Sequence, residues 1–173
     1  MRRDVARLAG DVGPGAGRPS ARRPLTGGGN AAKIHPMRYL GVDLGRARVG
    51  LALGDDVLRT ARAHRTLRRT GLARDLAAIA RVASDFEVSR VVLGLPLNMD
   101  GTEGPSARLA RAFAPRLEAA LGVPVELFDE RLSTFEAESR LRERGLSAED
   151  RREVVDAEAA AVILQGWLDR RVE

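Results

Sequence analysis

The chain has 173 residues, a net charge of +5 and no cysteine; it fits a single domain and excludes disulfides and thiolate metal sites. No apolar run approaches the ~20 residues of a membrane span and no apolar segment marks a secretory signal, so a soluble cytoplasmic protein is expected. The charge is unevenly spread: Met1 to Pro36 carry seven Lys or Arg and two acids, whereas Met37 to Glu173 carry 22 Arg and 22 acids.

Residues 1–36 also hold seven of the 18 glycines and four of the eight prolines. Such a segment cannot bury enough apolar surface to offset the cost of ordering it, and a disordered basic extension is expected. It reads as a nucleic-acid arm, as an Arg-rich targeting peptide, or as the product of a start assigned too early, with Met37 the working initiator. The domain from 37 to 173 is neutral, so polyanion binding there must come from local arginine clusters.

The domain opens on two apolar runs of strand length, Leu40 to Leu44 and Val49 to Leu53, joined through Gly45. That pattern predicts a β-hairpin. Asp43 is its anomaly, because a carboxylate inside a strand wants a cation or a hydrogen-bond network, unless it only caps the turn. A third strand is expected around His64 to Leu67. Leu72, Leu76, Ile79, Ala83 and Phe86 then recur at three- and four-residue spacing, the stripe of an amphipathic helix opened by Gly71.

Val91 to Pro96 reads as a strand covered on both faces, followed by the polar loop Asn98 to Gly104. Ser106 to Leu121 predicts a second helix that Pro115 should kink or interrupt. Val123 to Phe128 is a fifth strand, ending at Asp129-Glu130-Arg131. Ser133 and Glu136 have capping-box spacing for a helix to Arg144, stopped by Gly145, and Val154 to Leu168 makes a last helix. Three strands followed by alternating helices and strands imply an α/β layered fold with a mixed sheet.

Three acids fall where loops leave strands, the usual place for sites in open α/β sheets. They are Asp43, Glu130 and Asp156, the last expected in the first turn of the final helix, on the same face as Ala160, Ile163 and Trp167. Each has a plainer reading: Asp156 as first-turn charge against the helix dipole, Glu130 as a partner of Arg131, with Asp129 competing for its role.

Gly41-Val42-Asp43-Leu44-Gly45, Gly94-Leu95-Pro96-Leu97-Asn98-Met99-Asp100-Gly101-Thr102, Asp129-Glu130-Arg131-Leu132-Ser133-Thr134, and Asp156 with Ala159 to Gln165, taken together and in order, resemble the YqgF/RuvX family of ribonuclease-H-like nucleases. The resemblance covers essentially all of residues 37–169. It implies a ribonuclease-H-like fold of three layers, with a central five-stranded mixed sheet flanked by helices. It also implies a role in maturing the precursor of small-subunit ribosomal RNA or in resolving Holliday junctions.

The chemistry agrees. Phosphodiester hydrolysis needs an activated water and stabilised oxygens on both sides of phosphorus, which two Mg²⁺ or Mn²⁺ ions held by carboxylates supply. Asp43 is expected as the bridging ligand, with Glu130 and Asp156 as outer ligands. Neither His35 nor His64 belongs to a motif. Arg46 and Arg48 beside Asp43, and Arg131 beside Glu130, suit phosphate clamping, and Asn98 and Thr102 suit backbone hydrogen bonds. With 3% aromatic residues, base stacking is a poor guess and recognition by backbone and shape a better one. The expected partner is therefore structured RNA or branched DNA, with a homodimer if two strands must be cut together. A non-catalytic binder of the same fold gains nothing from converging carboxylates, and an ATPase of the actin and sugar-kinase type needs two facing halves.

Overall fold

The computed structural model describes residues 36–132 and 148–171. The expectations for the N-terminal extension and for the Ser133 to Arg144 helix fall outside those residues. The described elements are β1 (Arg38–Leu44), β2 (Arg48–Asp55), β3 (Arg62–Arg68), α1 (Leu72–Asp85), β4 (Val88–Leu95), α2 (Pro105–Leu121), β5 (Val125–Asp129), a short 3₁₀ turn (Glu130–Leu132) and α3 (Ala148–Arg170). Among them, no helix is long and apolar enough to cross a membrane.

The strands form one mixed sheet in the order β3-β2-β1-β4-β5. β1, β2 and β3 run as an antiparallel meander, while β4 and β5 lie parallel to β1. The parallel pairs are joined through helices, as geometry requires. Side chains alternate across each strand, so the sheet has two distinct faces.

One face carries Leu40, Val42, Leu44, Val49, Leu51, Val91 and Leu93, packed on Ile79 and Val82 of α1 and Phe113 and Leu117 of α2. Each fully buried aliphatic side chain there stabilises the fold by roughly 1.5–3 kcal/mol. The other face carries Tyr39, Ala52, Val92 and Phe128 under Ala160, Ile163, Leu164 and Trp167 of α3. Tyr39 meets Trp167 edge to face, with ring centroids 4.9 Å apart. Three layers result, as expected.

Two elements differ from their expected extents. α2 runs unbroken through Pro115. That ring removes one backbone hydrogen bond on the exposed side, but Ala110, Phe113, Ala114 and Leu117 are buried on either side of it and hold the helix to the sheet. It starts at Pro105, where a missing N–H costs nothing, and stops at Gly122 in the left-handed region (φ 68°). The final helix begins at Ala148, because the polar stretch before Val154 is built from helix formers, Ala, Glu and Arg.

Candidate functional site

Asp43 is the penultimate residue of β1 and pairs across the hairpin with Gly50. Alternation places it on the α3 face with Tyr39 and Gly41, at the carboxyl end of the strand. Glu130 follows β5 directly. Phe128 pairs with Gly94, and a Cβ on Gly94 would overlap the Glu130 carboxylate and press on Ile163. The absence of a side chain at Gly94 is what lets Glu130 lie over β4 toward Asp43.

The two carboxyls feel each other. Burial, then the Asp156 charge, pushes Asp43 up to about 6. Burial, then the Asp43 charge and that of Asp129, pushes Glu130 up to about 7. Desolvation and like charge act in the same direction, so these acids resist ionising together. Asp43 is the member coupled to both of the others.

Asp156 arrives from α3. The helix starts at Ala148, so Asp156 lies about two turns inside it rather than in the first turn. Favourable charge at the helix N-terminus therefore does not account for it, since that effect fades within one turn. The backbone here touches the sheet directly: a Cβ on Gly50 would overlap the Asp156 carbonyl, and one on Gly41 would stand 2.6 Å from the Ala160 oxygen. The Asp156 side chain accepts a hydrogen bond from Arg48 Nε, in an ion pair that is about a quarter to a third exposed.

The remaining expected contacts are spread around this centre. Arg46 is exposed in the hairpin turn. Arg131 forks onto Asp129, with Nη2 to Oδ2 2.7 Å, and leans on the Asn98 and Met99 carbonyls at 3.4 and 3.5 Å. The pairing holds the Asp129 carboxyl below its usual range, so Asp129 and Glu130 have opposite environments. Asn98 Nδ2 donates to Thr102 Oγ1 at 2.8 Å, and Thr102 donates through N and Oγ1 to Asp100 Oδ1 at 2.9 and 2.6 Å. These contacts staple the loop that borders the carboxylates.

Sequence reasoning missed Gly41, Gly50 and Gly94 as packing positions. It also missed Arg69, which donates to Asp75 at 3.0 Å and to the Gly45 carbonyl at 3.0 Å, tying the hairpin turn to α1. A glycine inside each of three apolar strand runs, β1, β2 and β4, was the available signal for the first.

Among the described residues, no three His, Cys, Asp or Glu side chains stand together as a finished ligand group. The donor set nevertheless suits a hard divalent ion: it is all carboxylate oxygen, two of its members are held against their own charge, and the third already faces a cation in Arg48.

The match to known proteins covers this whole region. The family model described as "RuvX: Holliday junction resolvase" matches residues 37–170. A protein of Anaeromyxobacter dehalogenans (strain 2CP-C) is 79% identical over 135 residues, 78% of this chain and 98% of its own length; one of Myxococcus xanthus is 56% identical over 133 residues, 77% and 88%. Both are named "Putative pre-16S rRNA nuclease". The solved structure titled "T. thermophilus RuvC in complex with Holliday junction substrate" matches 79% of this chain and 96% of its own, with 16% identity and a TM-score of 0.52. At that identity it speaks for the ribonuclease-H-like fold. Four motifs in order, the strand topology and these relatives agree: the chain belongs to the RuvX family.

Proposed function

We propose that this nuclease cuts phosphodiester bonds of structured nucleic acid, either the 5′ end of precursor 16S ribosomal RNA or branched DNA, at a divalent-metal site formed by Asp43, Glu130 and Asp156. What supports the reading is the electrostatic coupling that links Asp43 on β1 to Asp156 on α3, and Glu130 after β5 to Asp43.

Two Mg²⁺ or Mn²⁺ ions bound there would supply an activated water and charge stabilisation at the attacking and leaving oxygens. Asp43, Glu130 and Asp156 would hold them, with Asp43, the member coupled to both others, as the proposed common ligand. Glu130, pushed up to about 7, holds a proton through much of the neutral range and must release it to ligate, so ion affinity rises with pH. Arg48 offers its guanidinium beside the carboxylates and Arg46 offers another at the turn, both suited to phosphate oxygens. Arg131, Asn98 and Thr102 shape the loop at the rim, from which backbone phosphate or sugar is contacted. Cutting two strands of a junction would call for a pair of sites and hence a homodimer; trimming one RNA strand would not.

The test is cleavage with Mg²⁺ or Mn²⁺ of a labelled panel: a four-way DNA junction, single-stranded RNA and a ribosomal precursor end, comparing wild type with Asp43→Asn. Metal-dependent cuts that fall by about 10³-fold in the variant are expected, the several kcal/mol that the ions contribute. Equal cleavage by both proteins, or binding with no cleavage by either, would overturn the reading.

A further inference from the structure

The cations of this chain divide by where they sit in the sheet. Around β4 and β5 they are paired: Arg90 with Glu126, Arg131 with Asp129, and Arg111 with Glu103. At the opposite edge lies β3, with the sequence Arg62-Ala-His-Arg-Thr-Leu-Arg68, whose first four residues and Arg68 are exposed. It contains no acid. Arg62, Arg65 and Arg68 have no hydrogen-bond or ion-pair partner among the described residues.

The strand is also an edge in the strict sense, paired only with β2. Arginines lean to either side of that edge and form a cationic ridge. Register connects that ridge to the carboxylates: Asp43 pairs with Gly50 and Gly50 with Thr66, while Arg68 pairs with Arg48, the partner of Asp156. Two strand spacings separate Asp43 from β3, about 10 Å. At that end Asp75 is buried and held by Arg69, and Asp156 is held by Arg48.

We propose that the nucleic acid leaves the carboxylate site along β3, its backbone phosphates held by Arg68, Arg65 and Arg62. The inference rests on the nuclease reading for its point of origin. Its ligand is the phosphate backbone, common to DNA and RNA, and charge complementarity selects it: three guanidiniums spaced along one edge, without partners among the described residues, attract a polyanion and repel a second copy of the same edge. Phosphate contacts position the substrate without reading its sequence, in keeping with the low aromatic content.

The experiment is fluorescence anisotropy in EDTA, so that binding is read without cleavage, on a four-way DNA junction and on a duplex RNA of similar length across a salt series. Arg65→Ala/Arg68→Ala is compared with Arg81→Ala/Arg116→Ala, which removes the same charge from exposed positions on α1 and α2. Losing two phosphate contacts should lower the slope of log Kd against log salt by about 1.8 on DNA. A fall on both ligands is expected in the β3 variant only, with Arg65→Lys/Arg68→Lys keeping the wild-type slope. Equal falls in both alanine variants would reduce the effect to net charge and overturn the proposal. So would an unchanged slope with new self-association, which would make the arginines mere guards of the edge. Salt-sensitive binding at β3 in a chain that never cleaves would spare this inference and sink the nuclease reading; cleavage with an unchanged slope would do the reverse.

Discussion

The two faces of the sheet are made from the same strands and do opposite work. On the α1/α2 face, β1 presents Leu40, Val42 and Leu44, all buried among aliphatic neighbours. One residue out of step, on the α3 face, it presents Tyr39, Gly41 and Asp43. The first set gains stability from every methylene it hides. The second gives up side chains at Gly41, Gly50 and Gly94 so that a helix backbone and a carboxylate approach the sheet closely. A period of two thus separates the aliphatic core from the face that carries the proposed site.

That contrast can be broken from either side. Leu93→Ala, on the aliphatic face and fully buried, should cost about 2–5 kcal/mol through the cavity it leaves. Urea unfolding should show the loss while cleavage per folded molecule stays near wild type. Gly50→Ala puts a Cβ into the Asp156 carbonyl and should cost about 1–3 kcal/mol. Here cleavage should fall with stability, because relief requires the α3 backbone, and Asp156 with it, to move away. If activity survived that substitution, the close approach would be packing without functional consequence.

The smallest effect has the opposite sign. Asp43→Asn and Glu130→Gln should each stabilise the metal-free protein at pH 8, by on the order of 1 kcal/mol given partial exposure and solvent screening. Both carboxyls have folded values raised above their unfolded ones, to about 6 and about 7. Between about pH 4 and 7 the native state therefore holds more protons than the unfolded chain, and stability declines as pH rises through that window. Below it the cost is absent; above it the cost is complete. Thermal unfolding in EDTA from pH 4 to 8 should show the slope in wild type and a shallower one in each variant. A wild-type profile flat across that range would contradict the coupling of Asp43 to its neighbours.

The strands and the α/β layering were legible because each rests on a local signal, an apolar run of strand length or a helical stripe; the three acids were singled out as carboxylates out of place, and their role is the proposal made above. What escaped was set by partners far away in the chain. Arg48 meets Asp156 across 108 residues, and nothing local announces that the arginine opening β2 belongs to a helix carboxylate. The polar stretch from Ala148 looked like a connector because it lacks an apolar stripe, yet its residues are good helix formers. Pro115 looked like a break because propensity argues one residue at a time, whereas the buried positions on either side of it decide as a group.

The meeting of α3 with β2 has a consequence for how the protein tolerates change. The place of Asp156 relative to Asp43 is set by a carbonyl seated on a strand that has no Cβ to offer, so the distance between the two carboxylates is calibrated by main chain, not by the choice of neighbouring side chains. A saturation mutagenesis map should accordingly look inverted: wide latitude along the exposed positions of the helix, and almost none at a residue with no functional group at all.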